Sequence, residues 1–248
     1  MQRFVFLGSP MAASSMSETV DLISKRLHNG EFTQHTVVNV AKVVNMRSDA
    51  ELAKSVTECD IIYIDGMGVV CGTRFLGHDV SERMAGVGLF HQLNRMAEIE
   101  SLSVFYLGAK QEIVEETAKC MQKTHPHLVI VGTHHGDFWD DDVSLVKLIK
   151  DSGAKLLFFA ITSPNKENFI NKWRGQLGVD FVMGVGGIFD VVAGKVQRAP
   201  LWMQKSGLEW LYRVIQEPRR MWKRYLITNS KFAWLLLKEK FGANQWQS

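Results

Sequence analysis

The chain has no apolar run near the roughly 18–20 residues that a membrane-crossing helix needs. The longest candidate, FAWLLL from Phe232 to Leu237, is far too short. A protein that crosses the bilayer by a helix is therefore not expected. Cysteine is scarce: three residues, Cys59, Cys71 and Cys120. Scattered and odd in number, they build no disulfide framework, and a reducing cytoplasm is expected. No internal repeat or low-complexity tract is visible. The opening residues, MQRFVFLGSPMAASS, hold a short apolar patch that reads as a first strand rather than a signal peptide. The net charge, +3, says little about partners by itself.

What is present is an ordinary globular composition. Across 248 residues, 46% are hydrophobic and 22% charged, enough for one domain with a proper core. Short apolar runs alternate with helical patterns. RFVFL (Arg3–Leu7), TVVN (Thr36–Asn39), DIIYI (Asp60–Ile64), SVFYL (Ser103–Leu107), LVIV (Leu128–Val131), KLLFFA (Lys155–Ala160) and FVMGV (Phe181–Val185) read as strands. Between them, helices are expected at 15–28, after Ser48, and at 67–75, 89–99, 111–123, 141–150 and 167–177. Ser48 with Glu51 three residues on reads as a capping box. Continuously apolar strands alternating with helices specify an α/β fold: a Rossmann-like, mainly parallel sheet covered on both faces. Ligands bind beyond the carboxyl ends of such strands. Asn39, Asp65, Gly66, Gly108, Gly132 and the Gly184–Gly187 cluster fall there. After Pro200 the alternation stops and only helix-like segments remain. The expected division is a body at 1–199 and a helical appendage at 200–248.

The charge is unevenly spread. The appendage holds nine Lys/Arg against three Asp/Glu, and five of the seven tryptophans: Trp202, Trp210, Trp222, Trp234 and Trp246. Basic and Trp-rich together point to an anionic membrane surface or to nucleic acid. The alternative is a helical hairpin whose tryptophans pack on the body. Arg213, Glu217, Arg220 and Arg224 share one helical face only if a helix runs through Pro218, and Pro218 is expected to break it.

Several constellations can carry chemistry. Asp65 follows four apolar residues and precedes Gly66 and Gly68, which suits a general base at a strand end. Equally, it can cap the helix that follows. The glycines at 184, 186 and 187 can free backbone amides to hold phosphate. Phe189 stands where the third glycine of G-x-G-x-x-G belongs, so a dinucleotide-binding dehydrogenase is a poor match. Asp190 can meet a ribose or base edge, or cap a turn. Asp140-Asp141-Asp142 contains D-x-D, but it opens a helix pattern, where acids serve the cap and dipole. His134-His135 lacks a third metal ligand at suitable spacing.

GVGGIFDVVAG, then RAP-x-W, GLEWLYR and EPRR, closely resemble the signature of WecG/TagA/CpsF-type glycosyltransferases, family 26. IDGMGVV at Ile64–Val70 resembles a second signature of that family. The resemblance covers nearly the whole chain up to Tyr225. It implies an inverting transfer of a sugar, N-acetylmannosamine, its uronate or a related hexose. The donor would be a UDP-sugar and the acceptor a polyprenyl-diphosphate-linked saccharide, in envelope or exopolysaccharide synthesis. No metal or other cofactor is expected. The implied roles are residue-specific. Asp65 matches the base, and Asn39 the acceptor and sugar pocket. Arg83 would contact phosphate or a sugar hydroxyl, although Gly88 replaces the usual Asp of that motif. Gly136 belongs to the nucleotide side, with Gly186 and Asp190 as further contacts. Lys166 stands where the family has Gln; a lysine there can meet a diphosphate or a sugar carboxylate, and can equally mark weakened activity or simple drift. Arg213, Arg220, Lys223 and Arg224 match an appendage that closes over the site at the membrane. The expected location is cytoplasmic, peripheral on the inner face of a bacterial plasma membrane, with a homo-oligomer compatible and nucleic acid not expected as a partner. A non-catalytic nucleotide-sugar-binding regulator is the alternative that the Lys166 and Gly88 departures leave open.

Overall fold

The computed structural model describes residues 2–78, 80, 85–216 and 218–242. β1 (Gln2–Phe6) and β2 (Ser9–Ala13) form an antiparallel hairpin. Its turn residues Leu7 and Gly8 have φ of 46° and 74°, the doubly left-handed turn that matches the twist of paired strands. α1 (Met16–His28) opens with a capping box between Ser15 and Glu18. β3 (Thr33–Val38), α2 (Val40–Asn45), α3 (Ala50–Thr57) and β4 (Ile61–Ile64) follow. Next come α4 (Met67–Phe75), α5 (Gly86–Ile99), β5 (Ser103–Gly108), α6 (Gln111–Thr124) and β6 (Val129–His134). α7 (Asp142–Asp151), β7 (Leu156–Ala160), α8 (Asn165–Trp173) and β8 (Phe181–Gly184) complete the alternation. The chain then runs through α9 (Ile188–Val192), α10 (Leu201–Lys205), α11 (Glu209–Gln216) and α12 (Pro218–Gly242).

The eight strands form one sheet in the order β1-β2-β4-β3-β8-β7-β5-β6. Every neighbouring pair except the β1–β2 hairpin is parallel. The expected α/β architecture is the one observed. Strand side chains alternate between faces. Ile61, Tyr63, Tyr106, Phe158, Phe181 and Met183 join α1, α5, α6 and α9 in one core cluster. Ile62 and Ile64 point the other way, into a cluster with α2, α3 and α4. Phe105, Leu107, Leu157, Phe159 and Val182 do the same under α7 and α8. Burial on both faces is why these strands read as unbroken apolar runs.

Three local differences have physical causes. β2, SPMAA, lacks the β-branched and aromatic residues that mark strands, and the hairpin turn alone creates it. α2 is only six residues long, too short for a periodic pattern, and Asn39 opens it as N-cap. α3 is capped by Asp49, whose side chain accepts from the amide of Leu52, while the Ser48 hydroxyl bonds back to the carbonyl of Asn45. Pro218 does break the tail helix as expected. It stands at the first position of α12, where its missing N–H costs nothing.

α12 lies against the body. Phe232 is 6% exposed and enters the cluster of Phe6, Val69 and Val70. Gly72 permits this approach, since a Cβ there would lie 2.8 Å from the Phe232 ring. Of the tail tryptophans, Trp202, Trp210, Trp222 and Trp234 are exposed, and Trp246 lies outside the described residues.

Candidate active site

Three parallel strands, β4, β3 and β8, end side by side. Beyond their carboxyl ends opens a cavity of about 400 Å³. Asp65, at the end of β4, lines it; so do Asn39 after β3 and the Gly184–Gly187 loop after β8. The amide of Asp65 donates to the Val38 carbonyl, which locks the two strand ends together. The N-cap position of α4 is Gly66, at φ 87° and ψ 144°, and Asp65 stands one residue before it. The left-handed φ is one that glycine adopts without strain.

Asn39 does two things. Its Oδ1 accepts from the amide of Lys42 at 3.0 Å, capping α2, while the residue also faces the cavity. The N-terminus of α5 borders the same space through Ala85, Gly86 and Val87. The N-cap there is Ala85, whose side chain cannot accept a hydrogen bond, and a helix N-terminus at a cavity favours an anion.

The floor is a buried charge cluster. Glu167 Oε1 lies 2.7 Å from Lys42 Nζ and 2.8 Å from Lys166 Nζ. Lys42 also donates to the Thr36 hydroxyl and the Val37 carbonyl. Burial alone would push the Glu167 carboxyl up, but the two ammonium groups outweigh it and hold it at about 2. Burial, with Lys42 beside it, lowers Lys166 to about 8. Gly184 leaves room for this side chain: a Cβ there would sit 2.8 Å from Cε of Lys166. At the cavity's other side Arg198 and Glu209 approach to 3.8 Å.

The model of the "Glycosyl transferase WecG/TagA/CpsF family" matches residues 4–245. The chain belongs to that family. This glycosyltransferase is similar to two curated relatives that bear one name, N-acetylglucosaminyldiphosphoundecaprenol N-acetyl-beta-D-mannosaminyltransferase. The first, from Bacillus subtilis (strain 168), is 28% identical over 97% of this chain and 93% of its own length. The second, from Bacillus spizizenii, is 31% identical over 84% of this chain and 78% of its own.

Among the residues singled out in this WecG/TagA/CpsF-family chain, the structure brings together Asp65, Asn39, Lys166 and Gly186 around one cavity. Gly136 is not in that lining. It stands behind Ile161, whose Cδ1 would be 2.4 Å from any Cβ added at Gly136. Asp190 also lies outside the lining; it sits in α9, and its carbonyl accepts from the amides of Lys195 and Val196. Arg83 lies outside the described residues. Arg213 belongs to α11, and Arg220 and Arg224 to α12, with their side chains outside the description. Lys223 is exposed on α12. The D-x-D run is used structurally. Asp141 caps α7 through the amide of Ser144, and Asp142 binds Lys172 Nζ at 2.7 Å and the Trp173 indole at 3.1 Å.

Lys42, Arg198 and Glu209 were not anticipated. Lys42 gave no signal, because a lone lysine in a six-residue helix reads as a surface residue. Arg198 and Glu209 sit inside the RAP and GLEW motifs, and a search for oppositely charged residues within the signature would have paired them.

Proposed function

We propose that this chain transfers a sugar from a UDP-sugar to a polyprenyl-diphosphate-linked saccharide, with inversion at the anomeric carbon. The observation that carries the reading is Asp65 at the end of β4, lining the same cavity as the glycine loop and Lys166. The names of the two relatives specify the acceptor as an N-acetylglucosaminyl-diphospho-polyprenol and the sugar as an N-acetylmannosamine. In the step, the acceptor hydroxyl oxygen forms a bond to the anomeric carbon. Its proton passes to the Asp65 carboxylate. The bond from that carbon to the β-phosphate oxygen breaks, and UDP leaves with the electron pair. The amides at the start of α5 and the cation of Lys166 face the charge that develops there.

The appendage supplies the lipid side of this reading. At roughly 100° per residue, Trp222, Leu226, Trp234, Leu237 and Phe241 share one face of α12, and all are exposed. That face lies opposite Phe232. Lys223 sits within it and Lys231 and Lys238 border it, while Lys240 donates to the Phe75 carbonyl. Apolar and aromatic side chains bordered by lysines fit an anionic bilayer surface. No helix of the described residues is long and apolar enough to cross a membrane. The lysine-bordered face of α12 supports reading the chain as a peripheral protein on the inner face of a bacterial plasma membrane.

Titration calorimetry with a panel of UDP-sugars tests the donor side. Saturable binding of UDP and of one UDP-hexosamine is expected. A chain that binds neither overturns the donor assignment.

A further inference from the structure

In the cavity floor two buried ammonium groups meet one carboxylate. Two ammonium groups, Lys42 and Lys166, share one oxygen of one carboxylate, Glu167. Each ammonium has three N–H donors. Lys42 uses all three, on Glu167, Thr36 and Val37. Lys166 makes a single ion pair among the described residues, with Glu167. It is also the member of α8 whose side chain borders the cavity beside Gly184. Its side chain is 9% exposed, so water at the open surface does not neutralise it. A buried ammonium with spare donors needs an anion.

We infer that Lys166 is a specificity-determining residue that binds an anionic oxygen of the donor, from either its diphosphate or a carboxylate on its sugar. This rests on the donor reading above. The other charged groups near it do not take that place. Lys42 from α2 repels it, and Cys59, buried before β4, is held as a neutral thiol, pushed up to about 12 mainly by burial. His35 in β3 is kept neutral, lowered to about 3 by burial and then by Lys42. Across the cavity Glu209 faces Arg198, and Asp65 ends β4, two strands from Gly184 where β8 ends. Because the free Lys166 titrates at about 8, its grip on an anion is present at neutral pH and is lost as pH rises toward 9.

The experiment measures affinities for three probes: UDP, a neutral UDP-hexosamine and the matching UDP-hexosaminuronate. Wild type is compared with Lys166→Gln, and with Lys166→Met as a second uncharged variant of similar length. Thermal melting confirms that each is folded. A charge-assisted hydrogen bond predicts a loss of about 10–100-fold. Equal loss for all three probes assigns the anion to the diphosphate. Loss confined to the uronate assigns it to the sugar carboxylate. Either outcome should bring a second sign: wild-type affinity falls between pH 7 and pH 9, and the folded variants show no such fall. Variants that bind every probe as wild type does overturn the inference while leaving the donor reading intact. A wild type that binds no probe overturns both.

Discussion

Asp65 stands at a strand end, where its amide bonds to the Val38 carbonyl of β3 and Gly66 takes the N-cap position of the next helix. If it accepts the proton, Asp65→Asn should lower turnover by about 10²–10⁴-fold, the usual contribution of a general base. Donor affinity should barely change. A variant with near-full transfer to the lipid acceptor removes Asp65 from this role. Glu167 makes a different prediction. It is held at about 2 in the folded chain against 4.5 for the free side chain. The folded state therefore binds fewer protons in that window. The stabilising contribution is complete above 4.5 and fades as pH falls toward 2. Glu167→Gln should remove that part of the acid unfolding limb. At neutral pH it should also cost about 3–5 kcal/mol, because two buried ammonium groups lose their counter-charge. Urea unfolding against pH measures both effects; an unchanged acid limb contradicts the cluster. Asp65 was legible in the sequence because a buried strand followed by Asp-Gly marks a site. The second ammonium on Glu167 was not, since Lys42 lies 125 positions away and only the fold brings the two together.

At the scale of elements, α12 has two apolar faces with opposite tasks. Phe232 packs on Phe6 at a ring separation of 6.2 Å, in the space that Gly72 leaves. Phe232→Ala should cost about 3–5 kcal/mol of stability. Trp234, on the opposite face and 68% exposed, should differ. Trp234→Ala should stay within about 0.5 kcal/mol of wild type in urea unfolding, yet bind anionic vesicles less well. Equal loss of stability in the two variants would mean that Trp234 packs on the body. The alternation of strands and helices was readable because both faces of the sheet are buried. β2 and α2 escaped because their cause is not periodic. One is made by a turn and the other by a side-chain cap.

The whole molecule is nearly balanced in charge, but its basic residues gather in the tail. A chain ending at Ala199 keeps all eight strands. It loses Phe232, Leu235 and Leu236 from one core cluster. It should keep an α/β circular dichroism spectrum, melt at lower temperature, and fail to sediment with anionic vesicles at low salt. The full chain should sediment with them and release as salt rises. A full chain that ignores such vesicles rules out the membrane surface as its partner. The most direct test of the account is transfer itself. The full chain is incubated with a UDP-hexosamine and an N-acetylglucosaminyl-diphospho-polyprenol in anionic vesicles, with chelator present. The account predicts that the lipid gains the mass of one sugar, that one UDP appears per sugar transferred, and that the new linkage is inverted. Release of UDP with no gain in lipid mass, or transfer that returns only when a divalent cation is added back, would contradict it.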